Sequence, residues 1–260
     1  MKPIKPILLL VILVFTLGLG CKNDKSNTNE NKAIAENITA DPVLIHPIQH
    51  GTLVIETKDL TIYVDPTGGK KAFNGQKKPT YVLITDIHGD HLSNSTLESL
   101  DLTNVIIISP KAVTDKIPTT LSKTIMTLKN GQSYSDDGIL IEAIPMYNLR
   151  EEALKFHEKG RGNGYILTIE DQRIYISGDT EDIPEMRNLK NIDKAFVCMN
   201  LPYTMTVESA ADAVLDFKPK TVYPYHYRGT NGLSDIAKFK SLIEAKNDEI
   251  EVKLLNWYKK

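Results

Sequence analysis

The residues best suited to chemistry in this 260-residue chain lie in one short string, Thr85-Asp86-Ile87-His88-Gly89-Asp90-His91. Asp86, His88, Asp90 and His91 place four ligand-type side chains within six positions, an unusual density for an ordinary polar loop. Imidazole and carboxylate are the groups that bind divalent metals. The string follows the apolar run 81–85 and so opens a loop at a strand end. Asp86 and His88 flank Ile87 and point the same way in extended chain. Gly89 offers a tight turn that would redirect Asp90 and His91. One short loop could therefore present two groups of metal ligands.

Further ligands must come from later strand ends. Asp179, in Ser177-Gly178-Asp179-Thr180, follows a clean apolar run, and His226, in Pro224-Tyr225-His226-Tyr227, follows another. His157 sits in a polar, glycine-rich stretch, 155–164, that reads as a shaped loop. Asp65 ends the run 62–64, where a carboxylate could orient the loop or hold a ligand histidine by its second nitrogen. Taken singly, a strand-end aspartate is more often a turn residue, and a histidine among tyrosines more often a packed one. The combination carries the weight. His50 beside Gly51 either supports the site or packs at a strand start, and His46 has no assigned role. Arg161 with Lys159 either receives an anionic group or is solvated loop charge.

Short runs rich in β-branched residues predict strands at 52–56, 61–64, 81–85, 105–109, 124–128 and 139–144. A hairpin is expected from 165–169 and 173–177 around Glu170-Asp171-Gln172, with further strands at 195–199, 221–224 and 251–254. Helices are expected at 95–100, 207–217 and 234–246. Val207, Ala210, Ala211, Val214 and Leu215 share one face of the second, which Thr206 caps and Pro219 limits. Such an order can build two packed sheets with helices outside.

The first twenty residues read separately. Lys2 and Lys5 precede an apolar run, 7–19, that is too short for a stable span and fits a secretory signal. Gly18-Leu19-Gly20-Cys21 resembles the lipobox of bacterial lipoproteins, with Gly18 where leucine is usual. The reading is a lipoprotein signal at 1–20, a polar tether at 21–41 and a catalytic domain at 42–260. The expected protein is exported and anchored to a bacterial membrane through lipidated Cys21, facing the periplasm or the exterior. Cys198 then stands alone in an apolar run as an inert buried thiol. A net charge of -2 gives no electrostatic footprint for nucleic acid.

The ordered set resembles the metallo-β-lactamase superfamily, in particular the branch of the ascorbate-phosphate lactonase and the N-acyl phosphatidylethanolamine phospholipase D. Asp65 matches its first motif, 86–91 its His-x-His-x-Asp-His, His157 its third, Asp179 in Gly-Asp-Thr its fourth, and His226 its last. The resemblance implies an α+β fold, a four-layer αβ/βα sandwich with the site at one sheet edge. By the same resemblance Asp86, His88 and His157 hold one divalent ion, Asp90, His91 and His226 a second, and Asp179 bridges them. Zinc is the first choice, with manganese or iron as substitutes. A metal-bridging hydroxide would be the nucleophile, oriented by Asp90. Tyr227, Tyr203 and Lys159 are candidate proton donors. Met146-Tyr147-Asn148 and Pro202–Thr206 are candidates for the pocket rim. The substrate is a small or lipid-like ester, lactone, amide or phosphodiester, because one scaffold serves many chemistries. A metal-dependent oxidoreductase and a non-catalytic metal-binding surface protein are the competing readings. Asp86 departs from the family pattern, which has a neutral histidine there. The swap adds one negative charge to the cluster, which should hold divalent ions more tightly and favour manganese or iron against zinc.

Overall fold

A computed structural model of the chain describes residues 41–259. The expected signal, and all of the expected tether except Asp41, lie outside the described residues. The first sheet has six strands in sequential order: β1 (Leu44–Gln49), β2 (Thr52–Glu56), β3 (Thr61–Val64), β4 (Tyr81–Leu83), β5 (Ile106–Ser109) and β6 (Thr124–Thr127). β1 to β3 pair antiparallel and β3 to β6 parallel. β3 and β4 are buried at every residue, as parallel strands covered on both faces must be.

The second sheet uses β7 (Ser133–Asp136), β8 (Ile139–Met146), β9 (Gly162–Ile169), β10 (Gln172–Ile176), β11 (Lys194–Val197) and β12 (Thr221–Pro224). A ribbon of β13 (Arg228–Gly229) and β14 (Gly232–Leu233) intervenes before β15 (Glu251–Val252) completes the sheet, whose order is β15-β12-β11-β10-β9-β8-β7. The β9–β10 turn is tighter than expected, because Ile169 pairs directly with Gln172. Glu170 and Asp171 take φ of 48° and 58°, the left-handed pair that a two-residue hairpin needs.

Alternation along β3 places the layers. Ile62 and Val64 join the cluster that includes Ile141, Tyr165, Leu167 and Ile176 of the second sheet. Tyr63 turns to a separate cluster with Leu97 and Val113, from α1 (Asn94–Ser99) and α2 (Lys111–Thr114). After α3 (Pro184–Arg187), α4 (Val207–Phe217) and α5 (Ile236–Glu244) cover the second sheet. α4 buries Ala210, Ala211, Val214 and Phe217 and is capped by Thr206 as expected. Helix, sheet, sheet and helix make the four-layer sandwich. Each wholly buried Ile, Leu or Val contributes roughly 1.5–3 kcal/mol to it.

Two bonds join the sheets at one end. The Asn163 amide donates to the Thr85 carbonyl at 3.0 Å, and Tyr165 Oη to that of Ile84 at 2.9 Å. The carboxyl ends of β3, β4, β10 and β12 and the start of antiparallel β9 meet there. Open α/β sheets bind ligands at such an end.

Candidate metal centre

Asp65 ends β3 fully buried, with φ 45°. Its carboxylate accepts the Thr85 amide at 2.7 Å, Thr85 Oγ1 at 2.6 Å and His91 Nδ1 at 2.8 Å. Holding Nδ1 this way aims His91 Nε2 at the centre as the ligand atom. The loop after Thr85 then turns through bonds from the His91 and Leu92 amides to the His88 carbonyl, at 2.9 and 2.8 Å. The turn expected from Gly89 thus has another cause. Gly89 has open space around it and no left-handed φ, so glycine is not required there.

Asp179 stands between two groups of ligands. Its Oδ2 lies 3.3 Å from His91 Nε2 and 3.2 Å from His157 Nε2, and its Oδ1 lies 3.4 Å from His226 Nδ1. Asp90 Oδ2 lies 3.3 Å from His226 Nε2. These separations match the edge, about 3.4 Å, of a tetrahedron with the ~2.1 Å bonds of zinc to nitrogen and oxygen. On the other side Asp86, His88 and His157 bring their ligand atoms within 4.8 Å of one another. His91 Nε2, Asp179 Oδ1 and both ring nitrogens of His226 are buried without a hydrogen-bond partner. Such orphaned atoms are costly in a protein interior, and divalent ions would satisfy His91 Nε2, Asp179 Oδ1 and one of the two His226 nitrogens. The donor set therefore fits metal, and all seven residues singled out from the sequence converge on one place.

Electrostatics agree. Burial opposes the charge on Asp179, yet His226 and His91 hold its carboxyl well below the usual range. Burial likewise works against Asp90, and the adjacent His226 and His50 rings, each with Nε2 3.3 Å from Oδ2, overcome it and hold its carboxyl well below the usual range. For His91 burial favours the neutral ring, but Asp179 and Asp65 raise its pKa well above the ordinary value. The His91 ring thus favours its proton in metal-free protein, and binding of metal at Nε2 would have to expel it.

Several side chains take parts other than those expected. Arg161 does not wait for an anion: it grips Asp86 with Nε at 3.2 Å from Oδ1 and Nη2 at 3.1 Å from Oδ2. The added negative charge of Asp86 is cancelled on the spot. Lys159 is taken by Glu185 and the Tyr147 hydroxyl, which also removes it as a proton donor to the centre. Tyr227 is buried, whereas Tyr203 lines a cavity of about 400 Å³ with His50, His88, Asp90, His157 and Asp179. Of the expected rim, Met146 is buried and packs close to Gly162 and Gly178, and Asn148 Nδ2 bonds the Ala153 and Tyr203 carbonyls. Cys198 is buried as expected, its thiol pushed up to about 12 by that burial and by Asp179.

His50, expected either to support the site or to pack at a strand start, supports it. Its ring stacks on His226 at 3.8 Å, its Nε2 lies 3.3 Å from Asp90 Oδ2, and its Nδ1 meets Tyr258 Oη at 2.7 Å. Five of the six histidines thus gather at the centre. His46, given no part, pairs with Glu56 instead. The usable signal for His50 was its neighbour: a Cβ on Gly51 would lie 2.6 Å from His226 Cδ2.

Comparison with known families agrees with this geometry. The model of the beta-lactamase superfamily domain matches residues 44–226, from β1 to His226. The chain belongs to the metallo-β-lactamase superfamily. This superfamily member is 30% identical over 208 residues to a protein of Pelotomaculum thermopropionicum named a UPF0173 metal-dependent hydrolase, covering 75% of this chain and 89% of that one. It is 39% identical to a candidate metal-dependent hydrolase of Parabacteroides distasonis in a solved structure, with a TM-score of 0.73 over 82% of this chain and 92% of the other. A metallo hydrolase from the archaeon Ignicoccus hospitalis shares the fold at 21% identity and a TM-score of 0.70, covering 84% and 96%.

Proposed function

We propose that this metal-dependent hydrolase is dinuclear, with Asp86, His88 and His157 at one ion, Asp90, His91 and His226 at the other, and Asp179 shared. The observation that carries the reading is Asp179 itself, with one oxygen facing His91 and His157 and the other facing His226. Bound divalent ions supply an activated water and positive charge for the oxyanion that forms as an ester, lactone, amide or phosphodiester is attacked. Within the chain, Asp65 fixes the His91 ring, and Asp90, with Oδ2 3.3 Å from His226 Nε2 and 3.3 Å from His50 Nε2, is placed to orient the water. Tyr203 and Phe156, edge to face at 5.1 Å, give the cavity an apolar wall for a substrate. Zinc suits the histidines, and the carboxylates make manganese or iron competitive. The test is the metal-to-protein ratio of purified protein, measured beside hydrolysis of lactones, aryl esters and bis-aryl phosphodiesters. Two ions per chain and metal-dependent turnover of one class are expected. One ion per chain, or turnover untouched by chelation, overturns the reading.

We also propose that the mature chain begins at a lipidated Cys21 and sits on a bacterial membrane. The support is the basic head, apolar run and cysteine at its start. Mass spectrometry of the membrane fraction tests it, and unchanged processing and membrane retention of Cys21→Ser would refute it.

A further inference from the structure

Arg161 and Asp86 come from loops 75 residues apart and meet inside the protein, with side-chain exposures of 18% and 0%. We infer that Arg161 is a positioning residue of the first metal site, supplying the charge and orientation that let Asp86 stand where the superfamily pattern has a neutral histidine. This rests on the two-ion reading above.

Three observations lead there. The guanidinium closes a two-armed fork on the carboxylate, which fixes the plane of Asp86 as a single contact would not. The held carboxylate turns Oδ2 toward the other ligands, 2.6 Å from His88 Nδ1 and 4.0 Å from His157 Nε2. Nη2 also bonds the carbonyl of Phe156, beside His157, so one side chain ties two ligand-bearing loops together. Charge bookkeeping points the same way. A carboxylate and a guanidinium sum to zero, the charge of the histidine they replace, and arginine keeps its proton at every working pH. A buried charge left without its partner is strongly unfavourable. The two positions must therefore change together: a histidine at 86 is compatible with metal only if the cation at 161 is removed.

The test is a double-mutant cycle read on zinc binding, independent of turnover. Stripped proteins are equilibrated with zinc, and ions per chain and the affinity of each are measured by elemental analysis and calorimetry. The parent should hold two ions. Asp86→His, which leaves Arg161 unpaired beside the ion, should lose the first or bind it at least tenfold more weakly. Asp86→His with Arg161→Met should regain it. Asp86→Asn, alone and with Arg161→Met, repeats the cycle with minimal change of shape should the histidine variant fail to fold, and melting curves of the stripped proteins report folding. Two ions at parental affinity in Asp86→His would overturn the inference, since the cation would then be uncoupled from the metal. A double variant no better than the single would also overturn it, leaving Arg161 a tie for the loop that carries His157. A parent holding one ion defeats the two-ion reading and this inference with it. A parent holding two without rescue defeats the inference alone.

Discussion

Substituting Gly51 by alanine adds a single methyl group, yet the structure assigns it a large effect on the metal centre. The new Cβ would lie 2.6 Å from His226 Cδ2 and 3.5 Å from His91 Cε1. Carbon atoms in ordinary contact sit about 3.5–4.0 Å apart, so the His226 ring must retreat by roughly 1 Å. Metal–ligand bonds tolerate about 0.2 Å, so on the two-ion reading the second ion would lose a ligand. Misplacement of this size costs on the order of 100-fold in rate. The strain of forcing the methyl in is about 1–3 kcal/mol, which lowers the melting temperature without unfolding the domain. The assay is ions per chain, melting temperature and turnover for Gly51→Ala, with Gly89→Ala as the control. Gly89 lies within the ligand string but has nothing within 4 Å of its would-be Cβ. Two ions and near-parental turnover in Gly51→Ala would refute the reasoning. So would an equal loss in Gly89→Ala, because local backbone freedom rather than the His226 contact would then be responsible.

Asp179→Asn should reduce occupancy at both ions together and abolish most turnover, as measured by elemental analysis and rate; normal metal with normal rate sinks the shared role. For pH, the raised pKa of His91 means that its charged ring stabilises metal-free protein fully below the unfolded value of 6.5, and that this contribution is lost as pH rises through the folded value. Metal needs that ring neutral, so the gap in melting temperature between loaded and stripped protein should widen from about pH 6 to about pH 8; a constant or shrinking gap on calorimetric melting contradicts it. Cys198, raised to about 12, should resist iodoacetamide at about pH 8 until the chain is unfolded, and prompt labelling of native protein would show the thiol to be accessible.

Much of the centre could be read from the chain because its ligands sit where local pattern ends. Asp86, Asp179 and His226 each follow an apolar run, and an apolar run announces a strand without any knowledge of its partner. For the same reason β2, β3 and β12 fall on the expected residues, and the hydrophobic face of α4 emerges almost unchanged. Local pattern fails where pairing decides. β1 contains His46 and Pro47, and β7 is Ser-Tyr-Ser-Asp, so neither carries a strand signature; both are edge strands held by a neighbour. The last helix begins at Ile236 rather than two residues earlier, because Asp235 accepts the Lys238 amide and so caps it. Arg161 looked like free loop charge because its partner lies in another loop, and nothing near position 161 records that Asp86 is buried beside it. His50 was ambiguous for the same cause: its stacking partner, His226, is 176 positions away.

The backbone supplies the last step. His50, Asp65 and His226 have φ of 46°, 45° and 47°, a left-handed conformation that side-chain-bearing residues adopt at a cost of roughly 1–3 kcal/mol each. All three belong to the centre. Asp65 in this conformation reaches Thr85 and His91 at once. His50 and His226 in theirs are joined through the His226 amide to the His50 carbonyl at 3.3 Å while their rings stack. Extended backbone would have continued β3 and β12 and left these side chains on the faces of the sheets. Of the seven side-chain-bearing residues with left-handed φ among the described residues, these three turn ligands, or the groups that hold them, toward one point, while Glu170, Asp171, Asn191 and Lys218 take it in turns away from the centre. Folding stability is given up at the sheet edge, and four buried ligand atoms without partners add to the cost. The second penalty falls on the metal-free protein. An ion bound at the centre would relieve that cost as well as form its own bonds, because the atoms it engages otherwise lack partners.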